Sequence, residues 1–585
     1  MKKYYLFIVP VLATLAASCA SAPARMPGTL AGGSMSSESR AQAEAYQHFM
    51  AASLLEQDGA LDEAFKEYEA AYRLDQSSST VLLALASLSQ RKGQLDQAVL
   101  YAGKAATSAP DDPQALLLLA SIYSNKKQYA DAVEAYRKVI ALDPKQDDAY
   151  IYLGLLYISL KQYDEAIETF KAQSKQNPAS LMSPYYLGRI YAERQRYPEA
   201  LEAFRKAAAL KEDFEPAYTG MGFVYEVQGR VSDAIGAYKQ ALAANPHSAD
   251  IRRHLAQLYI QQNELDNALA QLRQVTTAEP RDFDSLVKMG LIYAEKKQYP
   301  DAIAAFGTVA KAAPNDLKVR RYLASTLLAG ERLDEAFKEY EALLAASPDD
   351  IDAILQIAYL YERLNRTVDA IPFLEKALED MPGKGALYLY LASAHIEMKH
   401  YQQAVDVLKK GIELTPDRDD LQFTLAIAYE KLGMREAMIN ALKKTIELKP
   451  DHADALNYLG YSYAEQGERL DEAIQLIKRA LLIKRDNGYI LDSLAWAYYQ
   501  KGLPHEALGY MKMAIEKTGD DPVMREHLGY IYLKLSNKNK AREEWLRSLK
   551  LDPENRKLRE KFKNTGFGDP DELLKGQKPG EKKTK

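Results

Sequence analysis

The chain has 585 residues, of which 47% are hydrophobic and 27% are charged, and its formal net charge is −5. Phosphate recognition needs clustered Lys and Arg, so this slightly acidic chain without a basic stripe excludes nucleic acid as an expected partner. A single cysteine excludes an internal disulfide as a source of stability.

The N-terminus predicts an export signal over residues 1–18. Lys2 and Lys3 precede an apolar run of 14 residues, from Tyr4 to Ala17. A bilayer span takes about 20 residues, so this run is too short to cross a membrane. Its length and its basic start are typical of a signal peptide.

Residues 15–19 (LAASC) resemble the cleavage box of bacterial lipoproteins, where small residues precede a cysteine that becomes the lipidated first residue. The resemblance implies that Cys19 carries several acyl chains, palmitate among them, and several chains anchor a protein firmly. Ala20 rather than Asp follows the cysteine. In Gram-negative families with this box, that choice favours the outer membrane.

Two other interpretations of this segment stay open. The signal could be an ordinary secretory one, cut after residues 20–22 (ASA), or the cysteine could have no role. Pro23 follows the alternative site and would hinder cleavage there. Residues 19–40 are rich in Ala, Ser, Gly and Pro, and they predict a flexible tether that spans roughly 25 Å by random-coil scaling.

From residue 41 the chain repeats every 34 residues, and a period of 20–50 residues predicts a solenoid. Most units carry a proline at one fixed position: Pro110, Pro144, Pro178, Pro246, Pro280, Pro314, Pro348, Pro382, Pro416 and Pro450. An alanine keeps the same spacing from Ala64 to Ala404, and after a one-residue slip near Met438 it returns at Ala473, Ala507 and Ala541.

Each unit has the pattern of two helices, as residues 147–178 illustrate. Apolar residues recur there at intervals of three and four, which is the helical period. A polar turn at 161–163 separates the two helices, Asp164 opens the second, and Pro178 ends it. A small residue stands twelve positions before each alanine, and a tyrosine often follows three positions later, as in Gly154 and Tyr157.

The order of small residue, tyrosine, alanine and proline at this spacing resembles the tetratricopeptide repeat. The resemblance covers fifteen units over residues 41–553. It implies an all-α fold, in which about fifteen antiparallel helix pairs form a right-handed superhelical solenoid and the first helices line a concave groove. Residues 554–565 predict a short capping helix, and 566–585 predict a disordered basic tail.

Units at about 487–548 are more similar to a subset of repeats found in proteobacterial envelope proteins. The likeness rests on four motifs: residues 487–489 (NGY), 492–499 (DSLAWAYY), 521–523 (DPV) and 527–529 (HLG). It favours a place in the cell envelope and implies no activity.

The chain lacks the sequence motifs of the common enzyme classes. It has no phosphate-binding loop, no nucleophile elbow, no HExxH and no CxxC. His395 and His400 are five residues apart, whereas a zinc pair on a helix needs three or four, and His395 occupies a tyrosine position of the repeat. We therefore predict a protein that is not an enzyme and needs no metal or cofactor.

In this family the residue after the small position faces the groove. The fifteen residues of this groove column are Ser53, Ser87, Ser121, Leu155, Arg189, Phe223, Gln257, Leu291, Ser325, Tyr359, Ser393, Ile427, Tyr461, Trp496 and Tyr530. The column contains no asparagine, which disfavours the capture of chaperone tails. Rigid aromatics are typical of binding hot spots, so we predict a partner-binding groove at Tyr359, Tyr461, Trp496 and Tyr530.

These features predict a lipid-anchored scaffold on the periplasmic face of the outer membrane. It would bind other envelope proteins during secretin or pilus assembly, or during polysaccharide export, and would touch the membrane through its N-terminal lipid alone. The alternative is a module whose aromatic residues bind an exported polysaccharide or peptidoglycan. A further hypothesis is that the late aromatics bind nothing and only add a packing layer beneath the capping helix.

Overall fold

The computed structural model describes residues 37–576, and these residues fold into 32 helices without a strand. The predicted signal peptide, Cys19 and most of the predicted tether lie outside the described residues. Within residues 37–576, no helix has both the length and the apolar character that a bilayer crossing requires. The all-α solenoid of helix pairs is confirmed.

The helices divide into two compact units, which meet in sequence at residues 278 and 279. The first unit contains seven helix pairs: α1 (Ser37–Gln57), α2 (Leu61–Leu74), α3 (Ser79–Arg91), α4 (Leu95–Ser108), α5 (Pro113–Asn125), α6 (Tyr129–Leu142), α7 (Asp147–Ser159), α8 (Tyr163–Gln176), α9 (Met182–Glu193), α10 (Tyr197–Leu210), α11 (Glu215–Val227), α12 (Val231–Ala244), α13 (Ala249–Gln261) and α14 (Leu265–Ala278).

The second unit contains eight pairs and two further helices: α15 (Phe283–Glu295), α16 (Tyr299–Ala312), α17 (Leu317–Ala329), α18 (Leu333–Ala346), α19 (Ile351–Arg363), α20 (Thr367–Asp380), α21 (Gly385–Glu397), α22 (Tyr401–Leu414), α23 (Asp419–Lys431), α24 (Arg435–Leu448), α25 (Ala453–Glu465), α26 (Leu470–Ile483), α27 (Gly488–Gln500), α28 (Pro504–Thr518), α29 (Pro522–Lys534), α30 (Lys538–Leu551), α31 (Arg556–Asn564) and α32 (Pro570–Gly576).

The two helices of a pair pack closely because the small position of the first helix faces a bulky residue sixteen positions later. A Cβ atom added to Gly154 would lie 2.3 Å from the Phe170 ring, and one added to Gly290 would lie 2.6 Å from the Phe306 ring. Phe170 and Phe306 are fully buried. Glycine thus makes room for a ring in both units.

The turn inside each pair needs a residue with positive φ, which is the left-handed region that glycine tolerates best. Gly93 supplies it at 75° in the first unit and Gly502 at 81° in the second, whereas Lys161 adopts it at 58°. The turn between α25 and α26 has two such residues, Gly467 at 70° and Arg469 at 46°. The one-residue slip of the repeat is therefore an extra residue in this turn.

The C-terminal helices cover the last pair of the second unit. Leu558 and Phe562 of α31 are fully buried and pack in one cluster with Trp545. Leu573 and Leu574 of α32 pack against the same cluster. The sequence pattern leaves residues 566–576 without structure, and the structure forms α32 there because these two leucines cover the end of the apolar core.

Candidate protein-binding groove

Three of the four residues predicted for the groove lie on consecutive first helices of the second unit. Tyr461 is on α25, Trp496 is on α27 and Tyr530 is on α29. All three side chains are half-buried, so each keeps an accessible edge while its position is fixed by packing. The regular repeat of the pairs places these three residues one helix pair apart along the chain.

Trp496 is the centre of an aromatic cluster, which we define as Trp496, Tyr499, His527 and Tyr530. The indole stacks on His527 with ring centroids 4.1 Å apart and on Tyr499 at 4.9 Å, and it meets Tyr530 edge to face at 6.0 Å. Such pairs contribute about 0.5–1.5 kcal/mol each beyond the burial of their area. The cluster is therefore rigid before any partner binds.

Hydrogen bonding fixes the imidazole beneath the indole. His527 Nδ1 lies 2.8 Å from Asp492 Oδ1, and both residues are buried. Trp496 Nε1 is itself buried, and no hydrogen-bond partner for it lies among residues 37–576. The Asp492–His527 pair thus sets the position of the indole.

Carboxylates surround the two groove tyrosines. Burial, together with the charges of Glu465, Asp492 and Glu526, raises the pKa of Tyr461 to about 12. Burial and the neighbouring Glu526 also raise the pKa of Tyr530 to about 12. Both phenols remain protonated near neutral pH and can donate hydrogen bonds, and the carboxylates of Glu465 and Glu526 lie near them.

The aromatic cluster continues into the C-terminal cap. Tyr530 meets Trp545 edge to face at 5.0 Å, and Trp545 contacts Phe562 at 6.5 Å and Phe567 at 5.7 Å. The cap therefore supports one side of the cluster. These contacts agree with the interpretation that the late aromatics add a packing layer beneath the capping helix. They account for the burial of Tyr530 on that side.

Tyr359 lies apart from the cluster, on α19. Its hydroxyl accepts a hydrogen bond from Arg363 Nη1 at 2.8 Å, and Arg363 also binds Glu331 at 2.6 Å. Tyr461 borders the cluster through its proximity to Asp492 and makes no ring contact with Trp496 among those found in the described chain. The structure thus brings together Trp496 and Tyr530, sets Tyr461 beside them, and leaves Tyr359 separate.

Sequence reasoning did not assign Tyr499, His527 and Asp492 to the groove. Tyr499 is three residues after Trp496, and His527 is three before Tyr530, so each lies on the same helix face as a predicted residue. This spacing could have identified both. The contact of His527 with Asp492 joins two helices 35 residues apart in sequence, and no local pattern encodes it.

The histidines do not form a metal site in the described part of the chain. No group of three or more His, Cys, Asp or Glu residues there could hold a metal ion. His395 is buried with its ring 5.9 Å from that of His400, and burial lowers the pKa of His395 below its usual value. His395 thus packs as a core residue in the tyrosine position.

Comparison with protein families assigns most of the chain to helical repeats. Residues 101–353 match the model described as the C-terminal domain of cilia and flagella-associated protein 70, a tetratricopeptide region. Residues 363–428, 423–490 and 524–555 match three models of the tetratricopeptide repeat. No curated protein sequence matches the chain.

Solved structures of helical-repeat proteins are similar to this chain over shorter or longer stretches. The MamA protein is 26% identical over 29% of this chain and 94% of its own, with a TM-score of 0.27. PilF of Pseudomonas aeruginosa is 17% identical over 36% of this chain and 97% of its own, with a TM-score of 0.30. A chain of the APC/C hetero-tetramer Cut9–Hcn1 is 15% identical over 83% of this chain and 96% of its own, with a TM-score of 0.36.

Proposed function

The chain belongs to the tetratricopeptide repeat family, and from that premise we propose that it is a lipid-anchored periplasmic scaffold for envelope proteins. Proteins of this fold are generally non-catalytic and bind other proteins along a preformed groove. We assign the principal binding site to the second unit, at the aromatic cluster and Tyr461. The partner is a segment of an envelope protein, in secretin or pilus assembly or in polysaccharide export.

The observation that carries this proposal is the preformed aromatic cluster on α27 and α29. Binding hot spots are rich in Trp and Tyr, because rigid aromatics bury a large area at a small cost in conformational entropy. Trp496 is held by two stacked rings, 4.1 and 4.9 Å away, and its N–H has no partner among the described residues.

The charge around the cluster favours one kind of partner segment. The charges of Glu465, Asp492 and Glu526 help to raise the pKa of Tyr461. The protonated tyrosine hydroxyls are therefore uncharged near neutral pH and do not offset these carboxylates. A segment with Lys or Arg beside an apolar side chain would satisfy both the rings and the carboxylates. An acidic segment would be repelled.

The geometry supports a sugar-binding role less well. Sugar rings stack on open aromatic faces, and two rings of this chain already stack on the indole of Trp496. The edges that remain accessible suit a peptide side chain better than a flat pyranose. Glycan binding is therefore the competing outcome in the test below.

The lipid anchor is the second part of the proposal, and it rests on the sequence around Cys19. We expect a Cys19→Ser chain to leave the outer-membrane fraction and to appear in the soluble periplasmic fraction, because the acyl chains would be the main attachment to the membrane. Fractionation followed by immunoblotting measures this. A Cys19→Ser chain that stays in the outer-membrane fraction contradicts the anchor.

A photo-crosslinking amino acid at position 499 identifies the partner in cells. The same amino acid at Ser87, in the groove column of the first unit, is the matched control. We expect one dominant adduct from position 499 that position 87 does not give. Equal adducts from both positions contradict a principal site in the second unit.

Binding of the purified partner then tests the cluster itself. We expect Trp496→Ala to weaken binding by about 2 kcal/mol, or roughly thirtyfold in Kd, and Ser87→Ala to leave it unchanged. Isothermal titration calorimetry measures both. Unchanged binding by Trp496→Ala would make the cluster purely structural, and binding of an isolated glycan in place of a protein would favour the carbohydrate module.

A further inference from the structure

One face of α1 differs from the same face of every other first helix in the first unit. The residue two positions after the small residue is apolar in all seven pairs. Six of these residues are buried, with exposures of 0–7%, and Leu54 is 60% exposed. The six buried residues are Leu88, Ile122, Leu156, Ile190, Val224 and Leu258.

The preceding pair is what normally covers this face. Leu88 packs in one cluster with Ala64, Tyr68 and Ala71, which lie on α2. Ile122 packs in one cluster with Ala98 and Ala102, which lie on α4. No helix among the described residues precedes α1, so its face has the composition of a solenoid interior and no cover within residues 37–576.

The open face is a continuous apolar strip. Tyr46, Met50 and Leu54 are spaced by four residues, which places them on one side of the helix, and they are 65%, 45% and 60% exposed. Exposed Ala43, Gln47 and Gln57 flank them and carry no charge. We call these six residues the α1 strip.

Residues of the same chain are poorly suited to cover the α1 strip. The sequence of residues 20–36 has no apolar helical period, so it predicts no amphipathic helix that would cover the strip. The C-terminal end of the second unit is covered by α31, whose Leu558 and Phe562 are fully buried, so it offers no open apolar face for a head-to-tail contact. The remaining arrangement of two copies is contact between the α1 end of one copy and the α1 end of the other.

Charge at the ends of the α1 strip also fits a second copy. Arg40 and Asp58 lie toward one edge of the strip, ten residues before and eight residues after Met50. In an antiparallel pair about a twofold axis near Met50, helix geometry brings Arg40 of each copy beside Asp58 of the other. The Arg40 side chain is 79% exposed, and within residues 37–576 it makes a long 3.6 Å ion pair with Glu44.

We propose that two copies of this chain pair through the α1 strip, with α1 antiparallel to α1 of the other copy. The helix has 21 residues and is about 30 Å long, so its strip is smaller than the roughly 800 Å² per partner of a standard interface. The dimer is accordingly weak in solution, and confinement of the chains to one surface would raise their effective concentration.

Sedimentation equilibrium of the full chain carrying Cys19→Ser tests the pairing without acyl chains. We expect a monomer–dimer equilibrium that Met50→Glu combined with Leu54→Glu abolishes. Leu482→Glu is the matched control, because Leu482 is 71% exposed in the second unit and should leave the equilibrium unchanged. A monomer at every concentration, or a dimer that survives the double substitution, overturns the proposal.

A charge exchange tests the antiparallel register. We expect Asp58→Arg to weaken the dimer at least tenfold, and Arg40→Asp together with Asp58→Arg to restore it. Loss in the single variant without recovery in the double variant overturns the register. Circular dichroism verifies that all variants stay folded, which we expect because the substituted side chains are exposed.

Deletion of residues 20–36 tests whether these residues, instead of a second copy, cover the α1 strip. If these residues covered the α1 strip, their deletion would strengthen the dimer, and that result overturns the proposal. An unchanged dimer supports it. The result is independent of the groove in the second unit, because α1 contributes nothing to the aromatic cluster.

Discussion

The two units use the same helix pairs but present different grooves. In the first unit the groove column begins with Ser53, Ser87 and Ser121, and in the second it ends with Tyr461, Trp496 and Tyr530. The packing inside the pairs does not change in the same way, because buried rings face glycines in both units. The positions that pack within the helix pairs are therefore more alike in the two units than the positions of the proposed groove column.

This difference allows one unit to change its surface without losing its fold. Substitutions in the packing positions should cost stability equally in both units, and substitutions in the groove column should change binding in one unit only. Substitutions of Phe170, Phe306 and Gly529 test the packing positions, and substitutions of Trp496 and Ser87 test the groove column.

The largest effect is expected from removal of a buried ring. Phe170 of the first unit and Phe306 of the second are both fully buried against a glycine. We expect Phe170→Ala and Phe306→Ala each to lower the local unfolding free energy by about 3–5 kcal/mol. Hydrogen exchange measured by mass spectrometry reports this loss pair by pair, which suits a repeat protein.

Exchange that rises in the substituted pair and its neighbours, by similar amounts in the two units, is the expected result. A loss confined to one of the two variants would mean that the units are built on different packing rules. That outcome would contradict the statement that the helix pairs of the two units are packed in the same way.

A smaller effect is expected from a methyl group added beneath Trp545. A Cβ atom on Gly529 would lie 2.1 Å from Trp545 Cδ1, and Trp545 is fully buried, so the ring cannot move away freely. We expect Gly529→Ala to cost about 1–3 kcal/mol of unfolding free energy. Urea unfolding followed by tryptophan fluorescence measures it.

Gly509 provides the matched control. It lies on α28, and nothing stands within 4 Å of an added Cβ atom. Gly509→Ala should be neutral or stabilising by up to about 1 kcal/mol, because alanine is the better helix former. If both glycine variants destabilise the chain equally, the close approach to Trp545 is not the cause.

The smallest effect concerns acid sensitivity, and it distinguishes the units. Burial lowers the pKa of His395, and the nearby His400 lowers it further. The unfolded chain therefore takes up a proton near pH 6.5 that the folded second unit takes up only at lower pH. Stability is full above about pH 6.5 and falls as the pH drops toward the folded pKa.

We expect His395→Tyr to reduce this acid sensitivity, since tyrosine occupies the same position in most other pairs, Tyr225 and Tyr259 of the first unit among them. Thermal unfolding at neutral and at mildly acidic pH measures the difference between wild type and variant. An equal drop in Tm for both proteins would show that other groups cause the acid sensitivity.

Much of the fold followed from the columns of the repeat. The small positions, the alanines and the prolines predicted the helix pairs, because each of these residues acts within one pair. The one-residue slip was visible as a shift of the alanines, but only the structure located it in the turn between α25 and α26, where Arg469 takes a positive φ. The helix α32 was missed, because two leucines in a short polar segment carry no period.

The candidate site was predicted in part. Trp496 and Tyr530 were found from their place in the groove column, and the structure brings them into ring contact. Tyr359 shares that column position, yet it lies three pairs before Tyr461 and instead binds Arg363. The position of a residue in the repeat predicts the direction in which its side chain faces. It does not predict which residues of the adjacent pairs contact that side chain.

By itself, the sequence determined the all-α class, the number of helix pairs and the residues that pack within each pair, because these depend on contacts between positions a fixed number of residues apart. Tertiary structure alone decided which aromatics form a cluster, how Asp492 holds His527 beneath the indole, and that Leu54 stays exposed while Leu88 is buried. These features depend on what the neighbouring pair supplies, and a single repeat does not encode its neighbour.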